Sequence, residues 1–169
     1  WFGAQGWFLP SLVSLGAGQL PREEMPKFVE KHDPPTRRMS AQDIDEAMGE
    51  EAHGDLEEIE IIFGHFAEPG GLEECRRLVG LTLIDCGLQR IANLRPVSST
   101  LERLSLVDQS ITTMENLHLP VLRELLLQQN SISRIEGLEG CPRLQRLWLW
   151  SNKISRIEGL ANCGELREL

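Results

Sequence analysis

Apolar residues in the C-terminal two thirds of the chain recur in a fixed order of columns with a period of about 22 residues. One copy runs Leu122, Leu125, Leu127, Asn130, Ile132, Ile135, Leu138, and the next runs Leu144, Leu147, Leu149, Asn152, Ile154, Ile157, Leu160. The string Ile-Ser-Arg-Ile-Glu-Gly-Leu appears identically at 132–138 and 154–160. Upstream, Leu101, Leu104, Leu106, Ile111, Met114, Leu117 and Leu78, Leu81, Leu83, Leu88, Ile91, Leu94 keep the same order, and a degenerate copy starts at Leu56. Successive copies begin 22, 23, 21 and 22 residues apart. A period of this size is the signature of a solenoid, in which each unit stacks on the next because none can bury its apolar column alone.

The columns predict the elements. Alternation around each L-x-L step, with Leu147 and Leu149 turned in and Trp148 and Trp150 turned out, describes a short half-buried strand. The ninth place holds Gly64, Cys86, Gln109, Asn130 and Asn152. An Asn amide there can both donate to and accept from the backbone as the chain leaves the strand. Gly64 and Gln109 break that pattern, so the early repeats are expected to be irregular. The sixteenth place holds only Gly71, Asn93, Asn116, Gly137 and Gly159, the two residue types that best tolerate a left-handed backbone, and a turn with positive φ is predicted there. Ahead of the repeats, Ser40-Ala-Gln-Asp43 reads as a helix-capping box before Ile44, Ala47 and Met48, predicting a helix over 40–52 that covers the first repeat. Three segments result: an N-terminal extension at 1–39 expected to be poorly ordered, an acidic capping helix at 40–55, and about four and a half repeats over 56–169. Because the chain starts at Trp1 and ends inside a repeat opened by Leu166 and Leu169, it reads as a piece of a longer solenoid, expected to be sticky on its own.

The segments Asn-Ser-Ile-Ser-Arg-Ile-Glu-Gly-Leu and Asn-Lys-Ile-Ser-Arg-Ile-Glu-Gly-Leu resemble the 22-residue leucine-rich-repeat class typified by the regulatory subunit of protein phosphatase 1. The whole run, with Leu-Trp-Leu-Trp-Ser-Asn-Lys-Ile-Ser-Arg-Ile-Glu-Gly-Leu at 147–160, is similar to ciliary members of that class. The resemblance implies an α/β, right-handed leucine-rich-repeat solenoid. Short parallel β-strands would line its concave face, and turns or short 3-10 or α segments its convex face, with an N-terminal helical cap. It also implies a non-catalytic interaction scaffold in the cytoplasm, or in a cilium or flagellar axoneme. The alternatives are a regulator that docks protein phosphatase 1, or the targeting arm of a larger enzyme.

Charge narrows the partner. The net charge is −9 and is concentrated: twelve acids and no Lys or Arg lie between Ser40 and Cys75. Such a block repels phosphate, so a nucleic-acid partner is not expected. No apolar run reaches the roughly 20 residues of a membrane helix, so neither membrane nor small-molecule partners are expected, and the partner is read as a protein.

Catalytic and metal-site patterns do not assemble. Cys75, Cys141 and Cys163 share the twentieth place of their repeats and Cys86 the ninth, which explains all four as small structural thiols. No close Cys pair suggests zinc, and a reduced Cys141 and Cys163 on adjacent rungs is favoured over a bridge. His32, His53, His65 and His118 read as surface or loop histidines. Asp43-Ile-Asp45 opens like a calcium loop, but Met48 takes the required Gly place. No cofactor is expected. Ser40 follows a basic Arg37-Arg38-Met39 context, although the helix cap is the simpler role.

The candidate surface is the face formed by residues that alternate out of the strands. One column reads Thr82, Ser105, Leu126, Trp148, the next Ile84, Val107, Gln128, Trp150, and a flanking column Gly80, Arg103, Glu124, Arg146, Glu168. Arg103, Glu124, Leu126, Gln128, Arg146, Trp148 and Trp150 are therefore the candidate partner-binding residues, since exposed Trp and Arg dominate binding energy at protein interfaces.

Overall fold

A computed structural model describes residues 34–49 and 53–169. Five parallel strands form one sheet in sequence order: β1 (Glu58–Ile62), β2 (Gly80–Ile84), β3 (Arg103–Val107), β4 (Glu124–Leu126) and β5 (Arg146–Trp148). The register pairs like places of successive repeats: Ile59, Leu81, Leu104, Leu125 and Leu147 form one row, and Glu60, Thr82, Ser105, Leu126 and Trp148 the next. A bridge between Arg146 and Glu168 begins a further rung. Each strand is followed by loops and turns, with a 3-10 turn at Arg95–Val97 in the longest repeat.

The columns read from the sequence form the core. The apolar places of the copies beginning at Leu78, Leu101 and Leu122 are buried throughout, and Phe66 and Leu72 complete the first copy. In the copy beginning at Leu144, burial fades: Ile154 and Leu160 are half-buried and Ile157 is exposed. All four cysteines are free and buried. Burial pushes the Cys141 thiol up to about 11, as an apolar environment disfavours thiolate.

The ladder place works at Gln109 and Cys86 as it does at Asn, which corrects the expectation that Gln109 makes its repeat irregular. Asn130 Nδ2 donates to Leu106 O (2.8 Å), and Asn152 Nδ2 donates to Leu127 O (2.8 Å). Gln109 Nε2 donates to Leu83 O (3.0 Å), and the Cys86 thiol points to Ile61 O (3.5 Å). From Cys86 onward each ladder residue thus reaches the same carbonyl of the preceding rung, whereas Gly64 in the first copy has no side chain to do so. Gln109, one methylene longer than Asn, also accepts at Oε1 from both Cys86 N (3.2 Å) and Leu88 N (2.9 Å). The early strands β1–β3 are in fact the longer ones, five residues each against three in β4 and β5.

The sixteenth place is left-handed in every copy: Gly71, Asn93, Asn116, Gly137 and Gly159 have φ between 57° and 73°. A second left-handed column, absent from the sequence reading, follows the strands at Phe63, Asp85, Asp108, Gln129 and Ser151. Its amides continue the sheet, with Phe63 N donating to Ile84 O (2.9 Å) and Asp85 N to Val107 O (3.1 Å). Positive φ re-aims the chain out of the strand while keeping that bond. Asp, which tolerates this region, fills two of the five positions.

Helix α1 (Ala41–Met48) is shorter than the predicted 40–52; its C-terminal Gly49 has φ 84° and donates to Asp45 O. Ser40 N (2.8 Å) and Oγ (2.7 Å) both donate to Asp43 Oδ2, and Arg37 closes on the same carboxylate from the other side at 2.6 and 2.8 Å. The Arg37 guanidinium holds the Asp43 carboxyl well below the usual carboxylate range. Ile44 is buried against β1. The extension expected at 1–39 lies outside the described residues for 1–33. Within 34–39, Pro35 and Met39 are buried, Met39 N donates to Glu68 O (3.0 Å), and the backbones of Arg38 and Glu68 form an isolated parallel β-bridge. His53, read as a surface histidine, is half-buried with Nε2 2.7 Å from Asp45 Oδ1.

Candidate interaction surface

Strand alternation sets which side chains leave the core. Leu125 and Leu147 are fully buried, whereas Leu126 between them is half-buried and Trp148 is 39% exposed. Trp150, two residues on, is 58% exposed. The bonds from Leu127 N to Trp148 O (2.9 Å) and from Gln129 N to Trp150 O (3.1 Å) carry the register past the end of β5, so Gln128 and Trp150 are lateral neighbours. Trp148, Leu149, Trp150 and Leu169 line a shallow cleft of about 250 Å³.

The flanking column is a chain of alternating charge. Arg103 pairs with Glu58, and Arg146 lies between Glu124 (2.6 Å) and Glu168 (2.6 Å). The Arg146 guanidinium also sits 5.8 Å from the Trp148 ring centroid, within cation–π range. Its charge holds the Glu168 carboxyl below the usual range. The two arginines that the sequence marked as partner contacts are thus already engaged by carboxylates across the rungs. Neighbouring strands lie about 4.8 Å apart, within reach of such cross-strand ion pairs.

Gln128 departs from the expectation. Alternation puts it on the same face as Trp150, yet it is only 4% exposed, with Oε1 buried and lacking a hydrogen-bond donor. It lies between Val107 and Trp150 in its column and is buried despite its outward position. It forms part of the floor of the face, not a free contact. A buried carbonyl without a donor costs on the order of 1–3 kcal/mol, whereas an apolar group of similar shape avoids that loss. Gln128→Leu is therefore expected to raise the unfolding free energy by about 1 kcal/mol. Urea denaturation measures it; a variant less stable than the parent means that a water serves the carbonyl.

Among the described residues no group of three or more His, Cys, Asp or Glu is placed to hold a metal ion. No described helix is long and apolar enough to cross a membrane.

Comparison with known proteins places this architecture. A family profile described as leucine-rich repeats (2 copies) matches residues 120–162. Among solved structures, the chain is similar to an internalin (inlF) from Listeria monocytogenes str. 4b F2365, at 16% identity and a TM-score of 0.52. That match covers 75% of this chain, which spans 46% of the internalin's length. It is also similar to internalin C2 (inlC2) from the same strain, at 18% identity and a TM-score of 0.42, covering 76% of this chain and 91% of that one. No curated protein sequence matches the chain. The repeat columns, the parallel ladder and the likeness to the inlF internalin agree: residues 120–162 carry leucine-rich repeats, and the chain has the fold of a leucine-rich-repeat solenoid.

Proposed function

We propose that this chain is a non-catalytic scaffold that holds a protein partner on the face lined by Arg103, Glu124, Leu126, Arg146, Trp148 and Trp150, with Gln128 beneath it. Leucine-rich repeats generally mediate protein–protein interaction, and the sheet presents a continuous surface that suits that role. The observation that carries the reading is the pair of exposed indoles beside half-buried Leu126. Exposed Trp in an apolar setting has the composition of an interface centre. We assign α1 the role of a cap on the first rung, supported by buried Ile44 and its packing against β1.

The setting we favour is cytoskeletal or ciliary, supported by the likeness of the 147–160 run to leucine-rich repeat-containing protein 9 and its ciliary relatives. Docking of protein phosphatase 1 is the competing assignment, and co-purification of phosphatase instead of axonemal proteins decides for it. The test of the surface is partner capture by the parent and by the Trp148→Ala, Trp150→Ala double variant. Removing two centre-of-interface indoles is expected to weaken capture by at least thirtyfold, about 2 kcal/mol. Equal capture by both proteins rejects the surface.

A further inference from the structure

The partner-binding face has a chemistry of its own, and on the reading just given it selects the kind of partner. One column across the strands is apolar from end to end but for the buried Gln128: Ile62, 47% exposed, then half-buried Ile84 and Val107, and finally Trp150. Four rung intervals at about 4.8 Å make a stripe roughly 19 Å long. Exposed carboxylates flank it. Glu60 leaves β1 on this face, and Asp85 and Asp108 stand at the left-handed positions where β2 and β3 end. Among the described residues no Lys or Arg pairs with any of these three, while the arginines of the face, Arg103 and Arg146, are held by Glu58, Glu124 and Glu168. The face therefore offers hydrophobic surface with negative charge that no described Lys or Arg compensates.

We infer that the occupant is a basic amphipathic helix of a partner protein, laid across the strands with its apolar stripe on Ile62, Ile84, Val107 and Trp150 and its Lys or Arg residues toward Glu60, Asp85 and Asp108. The rung spacing favours a helix over a strand. Apolar residues three and four apart on a helix rise about 4.5 and 6 Å, close to one anchor per rung, whereas same-face residues of an extended segment are about 6.7 Å apart and lose register within two rungs. About 13 helical residues span the stripe. Salt-sensitive attraction to the three carboxylates speeds encounter and discriminates against acidic segments.

The test uses the full chain and two synthetic helices of about 14 residues with identical leucine placement, one carrying Lys at every polar position and one carrying Glu. Calorimetric titration is expected to show the Lys helix binding at least tenfold more tightly than the Glu helix, with affinity falling as salt is raised. The triple variant Glu60→Gln, Asp85→Asn, Asp108→Asn keeps residues that tolerate the local backbone, and it is expected to lose about tenfold in affinity for the Lys helix together with most of the salt dependence. Circular dichroism of each variant establishes that it is folded. Equal affinity for the two helices, no binding of either, or a triple variant that binds like the parent overturns the inference. If the triple variant captures the natural partner normally while the double Trp variant does not, the interaction surface stands and only its basic-helix specificity falls. If the double Trp variant captures normally, the surface itself is wrong.

Discussion

Asn130→Ala is expected to lower the unfolding free energy by about 3 kcal/mol, the largest loss for any single polar side chain of the sheet. Asn130 is buried, and its amide is fully used. Oδ1 accepts from Ile111 N (3.1 Å), and Nδ2 donates to Leu106 O (2.8 Å), Leu127 O (3.1 Å) and Gln128 O (3.2 Å). A methyl group supplies none of these. The Ile111 amide and the Leu106 carbonyl then sit inside the stack without partners, each costing on the order of 1–2 kcal/mol. For a chain of this size the melting midpoint is expected to drop by roughly 6–12 °C. Asn152→Ala is the control. Asn152 makes an equivalent set of bonds, to Ile132 N, Leu127 O and Leu149 O, but is half-buried at the exposed end of the stack, where water can replace them. Its loss is expected to be about 1 kcal/mol. Denaturation of the two variants side by side decides, and equal losses would show that the ladder is not protected from solvent at Asn130.

Much of this fold was legible because its signals repeat. A leucine column says little in one copy, but five copies at nearly fixed spacing leave stacking as the way to bury them, and each column of the three central copies is buried where the spacing places it. The left-handed sixteenth place was legible for the same reason, since Gly and Asn alone occupy it and both tolerate positive φ. The second left-handed column was hidden by its mixed composition, for Phe63, Asp85, Asp108, Gln129 and Ser151 share no preference strong enough to read. Gln109 misled in the opposite direction. Judged by residue type it breaks the ladder, yet its amide carries the same donor and acceptor as Asn, and the extra methylene still lets it reach Leu83 O.

The candidate surface was only partly legible. Alternation correctly sent Trp148, Trp150 and Leu126 outward, because it depends on backbone geometry alone. It failed at Gln128, where outward direction and exposure separate: flanked in its column by Val107 and Trp150, it faces out and is nonetheless buried. Alternation also gave no account of charge pairing. Arg103 and Arg146 looked like free contacts and instead neutralise Glu58, Glu124 and Glu168 across the rungs. Taking them out of the sum leaves Glu60, Asp85 and Asp108, which no described Lys or Arg pairs, so correcting the arginines changes the chemistry expected of a partner from mixed to cationic.

Gly137→Ala is the second large effect, expected at about 3 kcal/mol, and it tests why the sixteenth place takes only two residue types. Two costs combine. The backbone there has φ 73°, where a side chain other than Asn or Asp loses about 1 kcal/mol or more. A Cβ would also lie 2.5 Å from Met114 O of the preceding rung, a backbone atom that cannot yield without parting the rungs. The Asn positions handle the equivalent carbonyl differently: Asn116 Nδ2 donates to Ile91 O (2.8 Å), and Asn93 Nδ2 donates to Pro69 O (2.9 Å). Glycine therefore lets one rung approach that carbonyl, and asparagine replaces the approach with a hydrogen bond. Gly137→Asn avoids most of the conformational cost and regains the bond once the rungs separate slightly, so its loss is expected to be no more than half that of Gly137→Ala. Denaturation midpoints of the two variants give the comparison. An Asn variant as unstable as the Ala variant would mean that the close approach of the rungs, not backbone handedness, governs this place in the repeat.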